Sequence, residues 1–141
     1  EYMTAGLVML RRLASGAATI YPRLAAAGER LRRGIERAFA EAGVPARTTG
    51  GGNAAVAGSS LFMVHFPREK DIAYDRPEDV HDDRRSNVAL REDILKLALL
   101  VNGIDIVHGG GAVSAAHGEK EIGATLAAYG EAARLIKKHL G

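Results

Sequence analysis

The sequence predicts an α+β fold, a small and mainly antiparallel sheet of three to four strands with helices packed on one face. Three observations carry that prediction. Long stretches near both ends repeat apolar residues at three- and four-residue steps, short β-rich runs bounded by glycine and proline lie between them, and one apolar-dense stretch interrupts those runs. The expected order is helix, helix, strand, strand, helix, strand, strand, helix, with no internal repeat. At 141 residues the chain has room for one domain, residues 1–141, with a real core, and too little for two.

Met3, Leu7, Leu10 and Leu13 keep one face of an opening helix apolar, with no capping residue ahead of them. Such a start in mid-element is expected of a fragment or a cleaved domain. Ser15-Gly16 breaks the pattern, and a second helix follows with Pro22 expected in its first turn. Its stripe is Leu24, Ala27, Leu31, Ile35, Ala38 and Phe39, while Arg23, Arg30, Arg32, Arg33 and Arg37 fall mostly off it, toward water. Gly43 stops the helix and Pro45 prevents its resumption. Ala46 to Thr49 reads as a short strand, Gly50-Gly51-Gly52 as a loop, and Ser60 to Phe66 as the strongest strand, ended by Pro67.

Between Arg68 and Asn87 the composition turns to charge, which predicts a long surface loop of the functional or mobile kind. Val88 to Val101 reads as a helix with Leu90, Ile94, Leu97 and Val101 on one face and Leu95, Leu99 and Leu100 widening it, so it is expected to be buried on more than one side or covered by a partner. Asn102-Gly103 ends it. Ile104 to Val107 and Ala112 to Ala116 are expected to form a hairpin around the flexible turn His108-Gly109-Gly110-Gly111. Gly118 then caps the last helix, Glu119 and Glu121 occupy its first turn, and Lys137, Lys138 and His139 its last, each set opposing the helix dipole. Ile122, Leu126, Tyr129, Ala133, Ile136 and Leu140 form its core-facing stripe.

Composition excludes several functions. The 19 basic and 17 acidic residues leave a charge of +2, interspersed and without a nucleic-acid footprint. Without cysteine there are no disulfides, thiolate metal sites or cysteine nucleophiles. No apolar run is long enough to cross a bilayer, and the opening residues lack the basic and apolar regions of a secretory signal, so no membrane partner and a cytoplasmic location are expected.

Side chains able to do chemistry are present but scattered. His65, His81, His108 and His117 show no spacing that sets two ligands on one helical face, and the acidic residues from Glu78 to Asp83 lack the alternation and closing glutamate of a calcium loop. The glycine runs at 50–52 and 109–111 match no phosphate-loop or dinucleotide pattern and read as tight turns. Ser59, Ser60 and Ser114 have no nucleophile elbow. Lys70, Lys96, Lys120, Lys137 and Lys138 lie in charged loops or on wet helix faces, without the burial or cationic neighbours that ready a Schiff-base lysine. Neither catalytic nor metal-ligating residues are expected in this chain.

Taken in order, Met3 to Leu10, Tyr21-Pro22-Arg23-Leu24 with Gly28-Glu29-Arg30-Leu31, Ala42-Gly43-Val44-Pro45, and Gly111 to His117 with Glu119 to Ile122 resemble the C-terminal small domain of class III aminotransferases. Within that family of fold-type I pyridoxal-phosphate enzymes, the chain looks most like the glutamate-1-semialdehyde aminomutase branch. The resemblance implies amino transfer or amino migration on pyridoxal 5'-phosphate, in a homodimer whose active sites lie between large and small domains and at the subunit interface. It also implies that the Schiff-base lysine, the aspartate on the pyridine nitrogen and a threonine on the neighbour's cofactor phosphate belong to a large domain upstream of Glu1. This chain alone is then inactive and binds no cofactor, its partner being that large domain.

Where many class III enzymes carry a carboxylate-binding arginine, the chain has Gly110, which argues against an ornithine-type or 4-aminobutyrate-type clamp. Gly110 and Ala112 also depart from the aromatic-rich aminomutase pattern. The family position of His108 to Ser114 marks His108, Gly110 and Ser114 as residues at the substrate entrance. A hairpin turn without ligand contact is the competing reading of that segment. For the whole chain the competitors are a stand-alone small-molecule-binding module and an oligomerisation unit, the latter suggested by the apolar Leu90 to Val101 surface.

Overall fold

A computed structural model describes residues 2–52 and 58–140. Helix α1 (Tyr2–Ser15) leads through Gly16 into α2 (Ala17–Glu41). Strands β1 (Arg47–Thr49) and β2 (Leu61–His65) follow, then a 3-10 turn at Pro77–His81 and a helix whose first part, Leu90–Leu95, is a π segment continuing into α3 (Lys96–Leu100). Strand β3 (Gly110–Ala112) and helix α4 (Glu119–Leu140) complete the order. The sheet is antiparallel in the order β1-β2-β3, with Arg47 opposite His65 and Met63 opposite Gly110. This is the predicted α+β architecture with one strand fewer than the expected element order.

Alternation along β2 decides where the core lies. Phe62 and Val64 are buried, and α2 packs along α4 and onto β1 and β2. Phe39 meets Phe66 edge-on with ring centroids 5.2 Å apart, and Tyr129 closes edge-on against both Phe39 and Phe62. Leu31, Ile35 and Phe39 of α2 and Ile122, Tyr129, Ala133 and Ile136 of α4 are buried as the stripes predict. Leu24, Ala27 and Leu126 pack beside them, while the side chain of Leu140 lies outside the described residues. At the end of α2, Gly43 takes φ +71° and donates its N–H to Ala40, and Val44 donates to Phe39. That paired closure needs the left-handed conformation glycine adopts freely.

Four expectations are corrected. Pro22 lies inside α2 and not in its first turn, because the helix already begins at Ala17. Arg32 is only 5% exposed: it donates to the carbonyls of Gly50 (3.3 Å), Ser59 (3.2 Å) and Leu61 (2.5 Å) and pairs with Glu29, so it binds backbone where water was expected. Helix 88–100 buries Leu90, Arg91, Leu95, Ala98 and Leu99, whereas Leu97 is 63% and Val101 77% exposed. The π segment takes more than the 3.6 residues per turn of an α-helix, which rotates the α-periodic face of Ile94, Leu97 and Val101 out of the core.

The fourth correction concerns the hairpin. Neither Ile104 to Val107 nor Ala112 to Ala116 is a strand; Gly110–Ala112 is one, and its partner is β2. The turn itself is real but shorter, with His108 at φ 51° and Gly109 at φ 77° between mutually hydrogen-bonded Val107 and Gly110. Positive φ at both central residues is the type I′ geometry that matches strand twist. Gly110 and Gly111 belong to the strand because β2 runs so close: a Cβ on Gly110 would lie 2.4 Å from the Phe62 carbonyl oxygen.

Tyr129 is fully buried, and among the described residues its hydroxyl has no hydrogen-bond partner. Such a group costs about 1–3 kcal/mol. Tyr129→Phe is therefore expected to leave the fold intact and raise its unfolding free energy by about 1 kcal/mol in a denaturant titration, and a loss of that size would contradict the assignment.

Candidate functional site

The sheet has a second face, away from α2 and α4. Antiparallel partners point the same way, so Arg47 and Thr49 of β1, Leu61, Met63 and His65 of β2, and Gly110 and Ala112 of β3 share it. At one end this face is open, with Leu61 and Ala112 exposed and Thr49 and Met63 half-buried. At the other end it is roofed by the 68–87 loop and closed by the type I′ turn.

Two backbone bonds, Arg68 to Arg85 (2.9 Å) and Asn87 to Phe66 (2.8 Å), bring the ends of that loop together. Arg47 donates to the carbonyls of Ile72 and Lys70, and Arg85 donates to that of Ala73. The buried Asp79 carboxylate accepts the N–H groups of Asp75 and Arg76, both at 3.0 Å. The Arg76 N–H bond is the main cause of its lowered pKa, with the Asp75 N–H and the Arg85 and Arg76 charges acting the same way against burial. The expected surface loop is therefore anchored by polar contacts that its charged composition supplies.

At the roofed end sits Arg91, with a side chain 0% exposed. Asn87 caps its helix, its Oδ1 accepting the Leu90 N–H at 3.1 Å. The π segment that follows turns Arg91 inward. Its Nη1 donates to His65 Nδ1 (3.2 Å) and the Val80 carbonyl (2.7 Å), its Nη2 to His81 Nδ1 (3.2 Å), and its Nε to Glu92 Oε1 (2.8 Å). The Glu92 carboxylate also pairs with Nη2 at 2.8 Å, so the whole guanidinium is bound from within the chain.

Because arginine only donates, both imidazoles accept at Nδ1 and are neutral. His65 then carries its proton on Nε2, where it donates to Thr49 Oγ1 at 2.8 Å. Burial chiefly, then the Arg91 charge and His81, pushes the His65 pKa down to about 4. Glu92 extends the network through Oε2, which accepts from His108 Nδ1 at 2.9 Å. Burial alone would raise the Glu92 pKa, but the bonds from His108 and Arg91 outweigh it and hold the carboxylate below its ordinary range.

The three expected entrance residues follow one strand. His108 is the exposed first central residue of the turn, Gly110 opens β3, and Ser114 lies two residues beyond its end. Ser114 is separate from the Arg91 network and turns to His117, whose Nδ1 accepts the Ser114 N–H at 2.9 Å. His117 borders two clefts. One of about 440 Å³ runs between Leu24, Ala27 and Arg30 of α2 and Ile122 of α4, and one of about 280 Å³ lies beneath Ile104, Gly111 and Thr125. His65 and His81, which sequence spacing left unrelated, meet at Arg91. The one sequence signal of this was an arginine directly after a core leucine, Leu90, at the start of its helix. Among the described residues no group of three or more acidic or histidine side chains could hold a metal ion.

Neither a family model nor a curated protein matches the chain. Among solved structures, an omega-transaminase from Sphaerobacter thermophilus matches 96% of this chain at 30% sequence identity, with a TM-score of 0.67. This chain is built like one part of a transaminase. It spans 28% of that protein's length. The likeness is to a transaminase and does not extend to an aminomutase. Helix α1 leaves apolar residues of the transaminase-like domain uncovered, Met3 at 90% and Leu10 at 65% exposure. No described helix is long and apolar enough to cross a membrane.

Removing the guanidinium from this node strands a carboxylate and a buried imidazole. Arg91→Met is expected to cost about 3–5 kcal/mol of unfolding free energy by denaturant titration, with Arg91→Lys recovering only part because an ammonium offers three donors for five. A cost below about 1 kcal/mol for Arg91→Met would show that the network is incidental. Gly110→Ala is expected to cost about 1–3 kcal/mol, since its methyl would press on the β2 backbone, and an unchanged melting temperature would contradict the close approach.

Proposed function

We propose that this chain is the C-terminal small domain of a pyridoxal-phosphate-dependent class III aminotransferase, shaping and covering an active site whose chemistry lies in a large domain outside these residues. The supporting observation is the match of 96% of the chain to 28% of an omega-transaminase. The chain's own residues do not fit a cofactor-holding role: Lys70, Lys96, Lys120, Lys137 and Lys138 are all exposed, and none has the setting of a Schiff-base amine. Pyridoxal 5'-phosphate, whose ring stabilises carbanions when bound, is accordingly assigned to the large domain, and the isolated chain to the inactive state. The parent enzyme is proposed as a cytoplasmic homodimer.

His108, Gly110 and Ser114 are proposed to face the substrate entrance along the edge of β3. Arg91 is no substrate clamp, because its guanidinium is fully buried and already paired with Glu92 within the chain. An arginine at Gly110 is no clean probe of the entrance either, since its Cβ would already collide with Phe62. Ser114 is exposed and its hydroxyl makes only long local bonds, to the Ala116 N–H (3.3 Å) and His117 Nδ1 (3.4 Å), so Ser114→Leu in the longer protein is expected to raise the KM for the amino donor about tenfold at a stability cost of no more than about 1 kcal/mol. An unchanged KM would remove Ser114 from the entrance.

The finer choice is between transfer to a second substrate and intramolecular migration of the glutamate-1-semialdehyde aminomutase kind. The omega-transaminase likeness favours transfer. Supplied with pyridoxal 5'-phosphate, an amine donor and a keto acid, the longer protein is expected to exchange their amino and keto groups. Isomerisation of glutamate 1-semialdehyde without a second substrate would assign it to the aminomutase branch instead. Neither activity, together with self-association of this chain, would favour the oligomerisation module.

A further inference from the structure

The Arg91 node belongs to no step of amino transfer, and its chemistry points elsewhere. Two imidazoles face one buried guanidinium, both through Nδ1 at 3.2 Å, and each can accept only while neutral. A proton on either one replaces an acceptor with an N–H and sets two cations at hydrogen-bond distance. His81 lies at the surface, in the Pro77–His81 turn, so a proton can reach the node from solvent.

We propose that Arg91, His65 and His81 form an acid-sensitive latch, which holds the Pro77–His81 turn onto the end of the sheet while both imidazoles are neutral and releases it when they take up protons. The same release loosens the Val107–Gly110 turn, because the Arg91 stem packs under Gly109 and Glu92 holds His108. A Cβ on Gly109 would lie 2.4 Å from Arg91 Cγ, so the turn and the arginine share one space. The latch stands apart from the aminotransferase reading and needs neither cofactor nor substrate.

The surrounding charges do not cancel the effect. On His65, β1 places Thr49 at hydrogen-bond distance and Arg47 in the opposite register position, and the Arg47 guanidinium is turned to the Ile72 and Lys70 carbonyls. The loop adds the Tyr74 ring, 5.2 Å from the imidazole. From the 3-10 turn come His81 and Asp79, the latter committed to the Asp75 and Arg76 N–H groups with Arg76 and Arg85 at 3.7 and 3.8 Å. The helix contributes Arg91 and Glu92, and the one carboxylate facing the node, Glu92, is shared between Arg91 and His108. Both of these carboxylates, Asp79 and Glu92, are thus already committed to other partners.

The sign follows from linkage. His65 has a pKa of about 4 when latched against an ordinary 6.5 when released, so between those values the open state binds the proton more tightly. Latching loses its pH dependence well above pH 6.5, and below that value the open fraction grows with a slope approaching about tenfold per pH unit, levelling off near pH 4.

Hydrogen–deuterium exchange of the protein carrying this chain, corrected for intrinsic rates, reads this directly. Protection of the 77–81 and 107–110 amides is expected to fall about fivefold between pH 6.5 and 5.5 while the α2 and α4 amides hold. Asparagine carries its acceptor where Nδ1 stood and does not titrate, so the His65→Asn, His81→Asn double variant is expected to keep protection at pH 7 and lose the pH dependence. PH-independent protection in the natural chain, or an unchanged pH dependence in the folded double variant, overturns the latch. If the double variant does not fold, nitrogen-15 spectra of the natural chain decide: a neutral His65 with Nε2–H while the 77–81 amides are protected, turning to imidazolium only as that protection is lost, supports the latch, and an imidazolium with the 77–81 amides still protected overturns it.

Discussion

Burying a guanidinium constrains this structure more than any other single feature. Stripped of water and unpaired, it would cost several kcal/mol. Arg91 avoids that cost through four hydrogen bonds and an ion pair, with partners from β2, the 3-10 turn and its own helix. Those acceptors are thereby fixed relative to one another. The π segment turns the residue inward, Gly109 leaves room for its stem, and Glu92 carries the restraint to His108. Residues from 65 to 110 that look unrelated along the chain thus answer to one requirement.

Arg32 plays the matching part on the other side of the sheet. It donates to the carbonyls of Gly50, Ser59 and Leu61, and Gly28 lets Ser59 approach α2, since a Cβ there would lie 2.2 Å from the Ser59 carbonyl oxygen. Two arginines, each bound to backbone, therefore hold the connections of a sheet whose outer strands are only three residues long. Short strands bring few ladder bonds, and side-chain donors supply the rest.

How far the sequence reveals this depends on whether a residue acts locally. Helices α2 and α4 are legible because Leu31, Ile35, Phe39, Tyr129 and Ile136 keep α periodicity, and Gly43 marks a helix end because the left-handed turn is a local need. Helix 88–100 misleads because a π segment abandons the period on which the reading rests, sending Ile94, Leu97 and Val101 outward. Gly110 and Gly111 look like turn residues because close strand approach and turn formation both call for glycine. Arg32 looks like a surface charge, and Arg91 draws no notice, because their acceptors lie far along the chain or on the backbone.

The site reads as support and cover. His108, Gly110 and Ser114 shape one edge, Arg91 holds that edge from within, and no lysine here is placed for covalent work. On the proposed reading, the open sheet face and the exposed apolar residues of α1 are surfaces for the rest of a longer enzyme. Borohydride reduction of that longer protein with pyridoxal 5'-phosphate, followed by peptide mapping, tests this reading most directly. The account predicts a phosphopyridoxyl-lysine outside residues 1–141 and none within them. A stoichiometric adduct on Lys70, Lys96, Lys120, Lys137 or Lys138 would contradict it.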